Sequence, residues 1–250
     1  MSSRKILGID VGGTKIAAGL VDVKGAISEY RLFMTSQANL MRQLFDIIAG
    51  YQNFSKISLG MPGQVTGNGE VVSLPNVRKF KRTNIKTLLK NRFRVPVTVY
   101  NDAKCFAYAE AINGAGKNFS SVVGVTLGTG IGVGIVFNKH LYVGRDGLAG
   151  EVGQFPMIEG KSFESYVKHA GIFKNATKAS LYLNLLLSYL ILAYNPDVIV
   201  LGGGWSKISG MMRITKLILS RLGFRTTTKV ALSKLEHPAL LGAALLALKK

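Results

Sequence analysis

Short apolar runs alternate with glycine-rich turns along the first half of the chain, and longer helical periods take over after Gly153. Lys5 to Asp10 (KILGID) is an apolar run ending on a carboxylate, the pattern of a strand covered on both faces. Gly12 and Gly13 predict a tight turn after it. Strands over Lys15 to Asp22 and Ala26 to Phe33 then complete a meander. A helix is expected over Leu40 to Ile48, and a short strand over Ile57 to Leu59 before the turn Gly60-Met61-Pro62-Gly63. Val95 to Tyr100 reads as a strand and Ala103 to Ile112 as a helix. The opening pattern then restarts. Ser121 to Leu127 is a strand, Gly128-Thr129-Gly130 a turn, and Ile131 to Phe137 a returning strand. Leu7 to Ile16 (LGIDVGGTKI) lines up with Val123 to Gly132 (VGVTLGTGIG), so one strand–turn–strand unit occurs twice, about half a chain apart. This duplication suggests two similar lobes, each presenting a glycine hairpin.

Beyond Gly153, helices are predicted over Phe163 to Lys168, Lys178 to Ala193, Ser206 to Leu222 and Pro238 to Lys250. The strand Asp197 to Leu201 ends in Gly202-Gly203-Gly204. Strands and helices mixed in this way, with glycine turns at strand ends, argue for an α/β fold.

Composition narrows the class. The chain has 250 residues, 48% apolar and 18% charged, enough to bury a sizeable core in one large domain or two small lobes. It contains no apolar run of 18 residues, so no membrane span or membrane partner is expected; Leu181 to Tyr194 is interrupted by Asn184 and Ser188. The opening MSSRKI lacks the apolar stretch of a secretory leader, and the single cysteine, Cys105, rules out a disulfide framework within the chain. Both point to the cytoplasm. The net charge of +19 is high for a metabolic enzyme and is compatible with attraction to polyanions. The densest basic stretch, Arg78 to Arg94, holds eight Lys and Arg and no acid. Arg82, Lys86 and Lys90 recur along one helical face opposite Ile85, Leu88, Leu89 and Phe93, the pattern of a solvated basic face, so no specific nucleic-acid partner is expected.

The glycine turns carry the first candidate chemistry. Phosphate oxygens need several N–H donors at close range, and glycine lets the backbone approach an anion. Gly12, Gly13 and Thr14 can supply such donors from one hairpin, and Gly128, Thr129 and Gly130 from the other. The chain has no GxxxxGK[ST] loop, and the Gly128 run is followed by a strand pattern instead of the helix a dinucleotide fingerprint requires. Asp10, at a strand end beside a phosphate loop, makes sense next to a divalent metal or its water. Asp102 follows a strand and opens a helix. It suits an N-cap, and that position can also face a cleft.

Taken with Asn101-Asp102, these segments resemble the ROK family of sugar kinases, within the actin-like ATPase superfamily. The matching segments fall in family order: LGIDVGGTK (Leu7 to Lys15), GMPG (Gly60 to Gly63), NDA (Asn101 to Ala103), TLGTGIG (Thr126 to Gly132), GLAGEVG (Gly147 to Gly153), NPDVIVLGGG (Asn195 to Gly204) and LLGAALLA (Leu240 to Ala247). The resemblance implies a two-lobed, ribonuclease H-like fold with a deep interlobe cleft. The small lobe would span residues 1–99 plus 237–250, and the large lobe 100–236. Asp102 matches the family's general base. Asn101, Glu151 and Glu164 match sugar ligands, with Asn76 and Gln154 as further candidates. Asp10 fits magnesium binding through water. Gly12, Gly13, Thr14, Lys15, Gly128, Thr129 and Gly130 fit the phosphates of ATP, and Gly203 and Gly204 the adenosine side. A homodimer is the family habit.

The chain departs from the family at the zinc site. Gln154 stands where many members have a histidine, and Phe155 to Phe163 contains no cysteine, so no zinc is expected. The implied activity is ATP-dependent phosphorylation of a hexose such as glucose or an aminosugar. A polyphosphate-dependent glucokinase is the alternative donor reading, and a sugar-sensing protein the non-enzymatic one. Repressors of this family add an amino-terminal helix-turn-helix, whereas here the phosphate strand begins at Lys5.

Overall fold

A computed structural model of the chain describes residues 5–72, 74, 83–128, 130–157, 160–169, 176–204, 219–220 and 223–249. The meander forms as β1 (Lys5–Val11), β2 (Lys15–Val21) and β3 (Ile27–Met34). There follow α1 (Leu40–Ala49), β4 (Phe54–Met61), α2 (Ile85–Phe93), β5 (Val97–Asn101) and α3 (Asp102–Ile112). The second half contains β6 (Ser121–Leu127), β7 (Ile131–Phe137), β8 (His140–Tyr142), α4 (Phe163–His169), α5 (Ala176–Tyr194), β9 (Val198–Gly202), β10 (Lys229–Leu232) and α6 (Pro238–Leu248).

Two five-stranded sheets result, ordered β3-β2-β1-β4-β5 and β8-β7-β6-β9-β10 when the second is read from its matching edge. In each, the central strand pairs antiparallel with its hairpin partner and parallel with the next strand inward. The sequence duplication is therefore a duplication of topology, and the α/β actin-like architecture follows from it. β8 and β10, the two edge strands of the second sheet, are not legible in the sequence. Each is short, at three and four residues, and half-exposed. β4 extends further than Ile57 to Leu59 and absorbs Gly60 and Met61, because it is the interior strand between β1 and β5. The expected helix over Ser206 to Leu222 lies mostly outside the described residues.

Period-two alternation on β1 and β6 explains the layering. Leu7, Ile9 and Val11 point to a core shared with α1 and α2. Val123, Val125 and Leu127 point to a core shared with α4 and α5. The opposite faces carry Ile6, Gly8 and Asp10 on β1 and Val122, Gly124 and Thr126 on β6, and turn toward α3 and α6 between the sheets. Glycine at 8 and 124 lets those helices close in. A Cβ on Gly8 would meet the Leu240 carbonyl of α6 at 2.9 Å, and one on Gly124 would meet Ala107 of α3 at 2.6 Å. Two residues further along each strand the same face is uncovered, and there Asp10 and Thr126 emerge.

Candidate active site

Asp10 and Asp102 reach the same place from adjoining elements. Asp10 pairs across the sheet with Gly60, and Gly60 with Tyr100, while Asp102 begins α3 directly after β5. Gly60 leaves the space between the two acids: a Cβ there would lie 3.7 Å from Asp10 Oδ1 and 3.5 Å from Asp102 Cα. The helix cap differs from the sequence expectation. Asn101 is the N-cap, its Oδ1 accepting from the Lys104 amide at 3.1 Å, while Asp102 is the first helical residue. Asp102 Oδ1 accepts from the Ala103 amide at 2.8 Å. Asn101 also donates from Nδ2 to the Gly63 carbonyl at 3.0 Å, which fixes its amide across the first sheet.

Burial dominates the electrostatics. The Asp102 carboxyl is pushed up to about 6, first by loss of solvent and then by the Glu151 charge, with the Ala103 amide and Lys104 acting in the opposite direction. Asp10 is pushed up to about 7 by burial and by the charge of Asp102. Among the described residues neither acid makes an ion pair. A desolvated oxygen donor facing a second carboxylate, with no ion pair to either among the described residues, suits a hydrated divalent ion. The donor set therefore fits Mg2+ held through water by Asp10. Among the described residues, no cluster of three His, Cys, Asp or Glu side chains could hold a metal by itself.

A cavity of about 510 Å³ opens in front of the two acids, and Lys15, Thr126, Gly203 and Gly204 also line it. Gly203 has φ +83°, and a side chain there would strike the Leu127 backbone, so only glycine keeps that wall in place. In the same lining Tyr30 stacks on His237, with ring centroids 4.0 Å apart.

The two glycine hairpins are held differently. In the first, the Gly12 amide closes the turn on the Lys15 carbonyl at 2.9 Å. The carbonyls of Gly12 and Gly13 accept from Thr35 Oγ1 and Gln37 Nε2 at 2.8 and 2.6 Å. Among the described residues the amides of Gly13 and Thr14 have no such partner, so the donors this loop can offer an anion come from 13 and 14 and not from Gly12. In the second, Gly128 N–H donates to the Gly130 carbonyl at 3.0 Å. Glu164 Oε2 accepts from the Ile131 amide at 2.8 Å.

Among the described residues, the sugar-ligand candidates Asn101, Glu151, Gln154 and Glu164 are not in the lining of the large cavity. Asn101 and Lys104 border a smaller one of about 90 Å³ with Thr66, Thr98 and Tyr100. Glu151 is tied to α3 by Lys104, whose Nζ lies 3.1 Å from Glu151 Oε1 and 2.7 Å from the Gly147 carbonyl. Gln154 is exposed in the short 3-10 turn that follows Glu151. Asn76 and Thr129 lie outside the described residues. Cys105 is buried, and burial pushes its thiol well up, so it is a packing residue.

Lys104 joins the site without having been expected from the sequence. It is 1% exposed on a helix whose other positions are mostly small and apolar (DAKCFAYAEAI). A single lysine there signals a buried charge that needs a partner.

Comparisons with known proteins agree with this architecture. Residues 6–167 match the model of the ROK family. An N-acetylgalactosamine kinase from Shewanella sp. is 29% identical over 82% of this chain and 83% of its own length. A xylose repressor from Bacillus spizizenii is 32% identical, over 59% of this chain and 41% of its own length. The crystal structure of a ROK family glucokinase from Streptomyces griseus in complex with glucose and AMPPNP superposes with a TM-score of 0.85, 24% identity, and coverage of 98% of this chain and 100% of the other.

Proposed function

Since the chain belongs to the ROK family, we propose that it is a sugar kinase. It transfers the γ-phosphoryl of ATP to a hydroxyl of glucose or a related hexose or aminosugar, with Asp102 as general base. The observation that carries this reading is the pair Asp10 and Asp102, side by side at the mouth of one cavity with Lys15 and the Gly203-Gly204 turn. The N-acetylgalactosamine kinase and the glucose- and AMPPNP-bound glucokinase support the same substrate classes.

In this reading Asp102 accepts the proton of the attacking hydroxyl. With a carboxyl near 6 it is ionised at neutral pH and still basic enough to be useful. Gly13, Thr14 and Gly130 receive the phosphates, Gly128 shapes the second turn with its amide on the Gly130 carbonyl, Lys15 balances the phosphate charge, and Gly203 and Gly204 border the nucleoside. Phosphoryl transfer asks the protein for in-line positioning and charge neutralisation, with little covalent chemistry. Asp10 would hold Mg2+ through water, and the ion when bound neutralises charge on the transferring group. Asn101, Glu151 and Glu164 fix the sugar, with Asn76 and Gln154 as further ligands.

The lobe division at residues 99/100 and 236/237, a cytoplasmic home, a homodimer and the absence of structural zinc belong to the same proposal. The homodimer is supported by Leu185, Tyr189 and Leu192, exposed large apolar residues along one stripe of α5.

The test is a coupled assay over a sugar panel with ATP and with polyphosphate, at low and high salt. Turnover with ATP and at least one hexose is expected. Turnover with polyphosphate alone, falling steeply with salt, would transfer the role of donor to the polyanion. Sugar binding without turnover on either donor would identify a sensor.

A further inference from the structure

We propose that Glu164 is a ligand shared by both substrates: it holds the sugar, and it also sets the position of the donor-phosphate hairpin between β6 and β7. The second role rests on geometry that the sugar role does not require. Glu164 Oε2 accepts the amide hydrogen of Ile131, the first residue after the glycine turn, at 2.8 Å. The same oxygen occupies the space where a side chain at Gly130 would stand, 2.6 Å from the position of a Cβ built there. It also lies 3.5 Å from a Cβ built on Gly153, in the turn two residues after Glu151. One carboxylate oxygen thus bonds the end of the phosphate hairpin and faces the open side of Gly153, in the segment that carries another sugar candidate.

The contrast with the first hairpin supports this. There Thr35 and Gln37, neutral residues outside the sugar set, hold the glycine turn by donating to its carbonyls. In the second hairpin the brace is an acid accepting from the backbone, and it comes from α4, an element that the sugar reading already uses. A hydrogen bond from an amide to a carboxylate is among the stronger braces available to a loop. Any hydroxyl that draws on the Glu164 carboxylate shifts the charge and position of the group that holds Ile131. Sugar and donor affinities are thereby coupled, and the coupling is reciprocal by linkage.

The inference rests on the kinase reading, and the experiment separates the two. Calorimetry measures binding of AMPPNP with MgCl2 alone, of glucose, N-acetylglucosamine and N-acetylgalactosamine alone, and of each in the presence of the other. The proteins are the full-length parent chain, Glu164→Ala, Glu164→Gln and Gly130→Ala. In Glu164→Ala, AMPPNP binding without sugar is expected to weaken about tenfold. The reciprocal enhancement, about fivefold in the parent, is expected to vanish. Glu164→Gln keeps an oxygen that can accept from Ile131, so it retains AMPPNP affinity within about twofold while losing sugar affinity. Gly130→Ala displaces the carboxylate from the donor side and weakens sugar binding measured without nucleotide. It also decides the matter if Glu164→Ala does not fold.

Parental AMPPNP affinity in Glu164→Ala, with weakened sugar binding, overturns the shared role and leaves the sugar-ligand reading standing. So does parental sugar affinity in Gly130→Ala. A parent protein that binds neither AMPPNP nor any of the sugars overturns both.

Discussion

The hairpins β1–β2 and β6–β7 are two copies of one device, and their differences show how a repeat acquires distinct jobs. Both place a glycine under a helix, Gly8 beneath α6 and Gly124 beneath α3, and both expose the residue two positions later to the cavity. On β1 that residue is Asp10, an acid pushed up to about 7; on β6 it is Thr126, a neutral hydroxyl. At the position following each turn the first hairpin has Lys15 and the second Ile131. The first copy therefore carries the charges, a carboxylate and an ammonium, which the proposed function assigns to metal water and phosphate. The second copy contributes backbone, and a carboxylate reaches it from Glu164.

Substitution of Asp102, which neither copy contains, has the largest expected effect. Asp102→Asn should retain sugar binding by calorimetry and lower kcat by about 10²–10⁴. Near-parental turnover would remove it as base.

Asp10→Asn breaks the asymmetry between the copies by making position 10 as neutral as position 126, and should abolish most Mg-dependent turnover. It should also stabilise the metal-free protein in a pH-dependent way. Because burial holds the folded carboxyl near 7, above its unfolded value of 3.8, stability is full below the unfolded value and is lost as pH rises through 7. Asparagine escapes that loss. The variant should gain on the order of 2 kcal/mol at pH 8 and nothing near pH 4, measured by urea melts in chelator.

Packing gives the next comparison. Gly124→Ala meets the Cα and Cβ of Ala107 at 2.6 Å and a ring carbon of Phe106 at 3.0 Å, whereas Gly8→Ala meets the Leu240 carbonyl and two side-chain carbons of α6 at 2.9–3.3 Å. Both should destabilise by about 1–3 kcal/mol, Gly124→Ala the more, as read from denaturation midpoints.

Lys104 gives a subtler test. The parent kcat should fall with an acid limb near pH 6 as Asp102 takes its proton. Lys104→Met removes a charge that favours the ionised form of Asp102. It should move that limb to higher pH and raise the sugar KM several-fold as Glu151 loses its anchor. An unmoved pH profile would reduce Lys104 to a packing role.

Much of this site is legible in the amino-acid order. Asp10 and Asp102 each end or follow an apolar strand, and the paired glycine turns declare themselves by their spacing. Glu151 and Glu164 emerge only through the family motifs, since nothing local to them marks a ligand. Lys104 shows in the sequence only as a lone charge on an apolar helix, because its partner Glu151 lies 47 residues away. The cap falls on Asn101 instead of Asp102 although both are good caps, and the choice lies in which amide each side chain reaches.

The chain's own pattern of apolar runs and glycines determined the strands of both hairpins, their duplication and the acids that end β1 and follow β5, because strand period and turn chemistry are local properties. Tertiary structure alone decided that Gly60 would seat the two acids together, that a buried lysine would hold Glu151, and that Glu164 would reach the second hairpin. Those outcomes depend on contacts between residues far apart in sequence, which no local pattern of apolar and polar positions specifies.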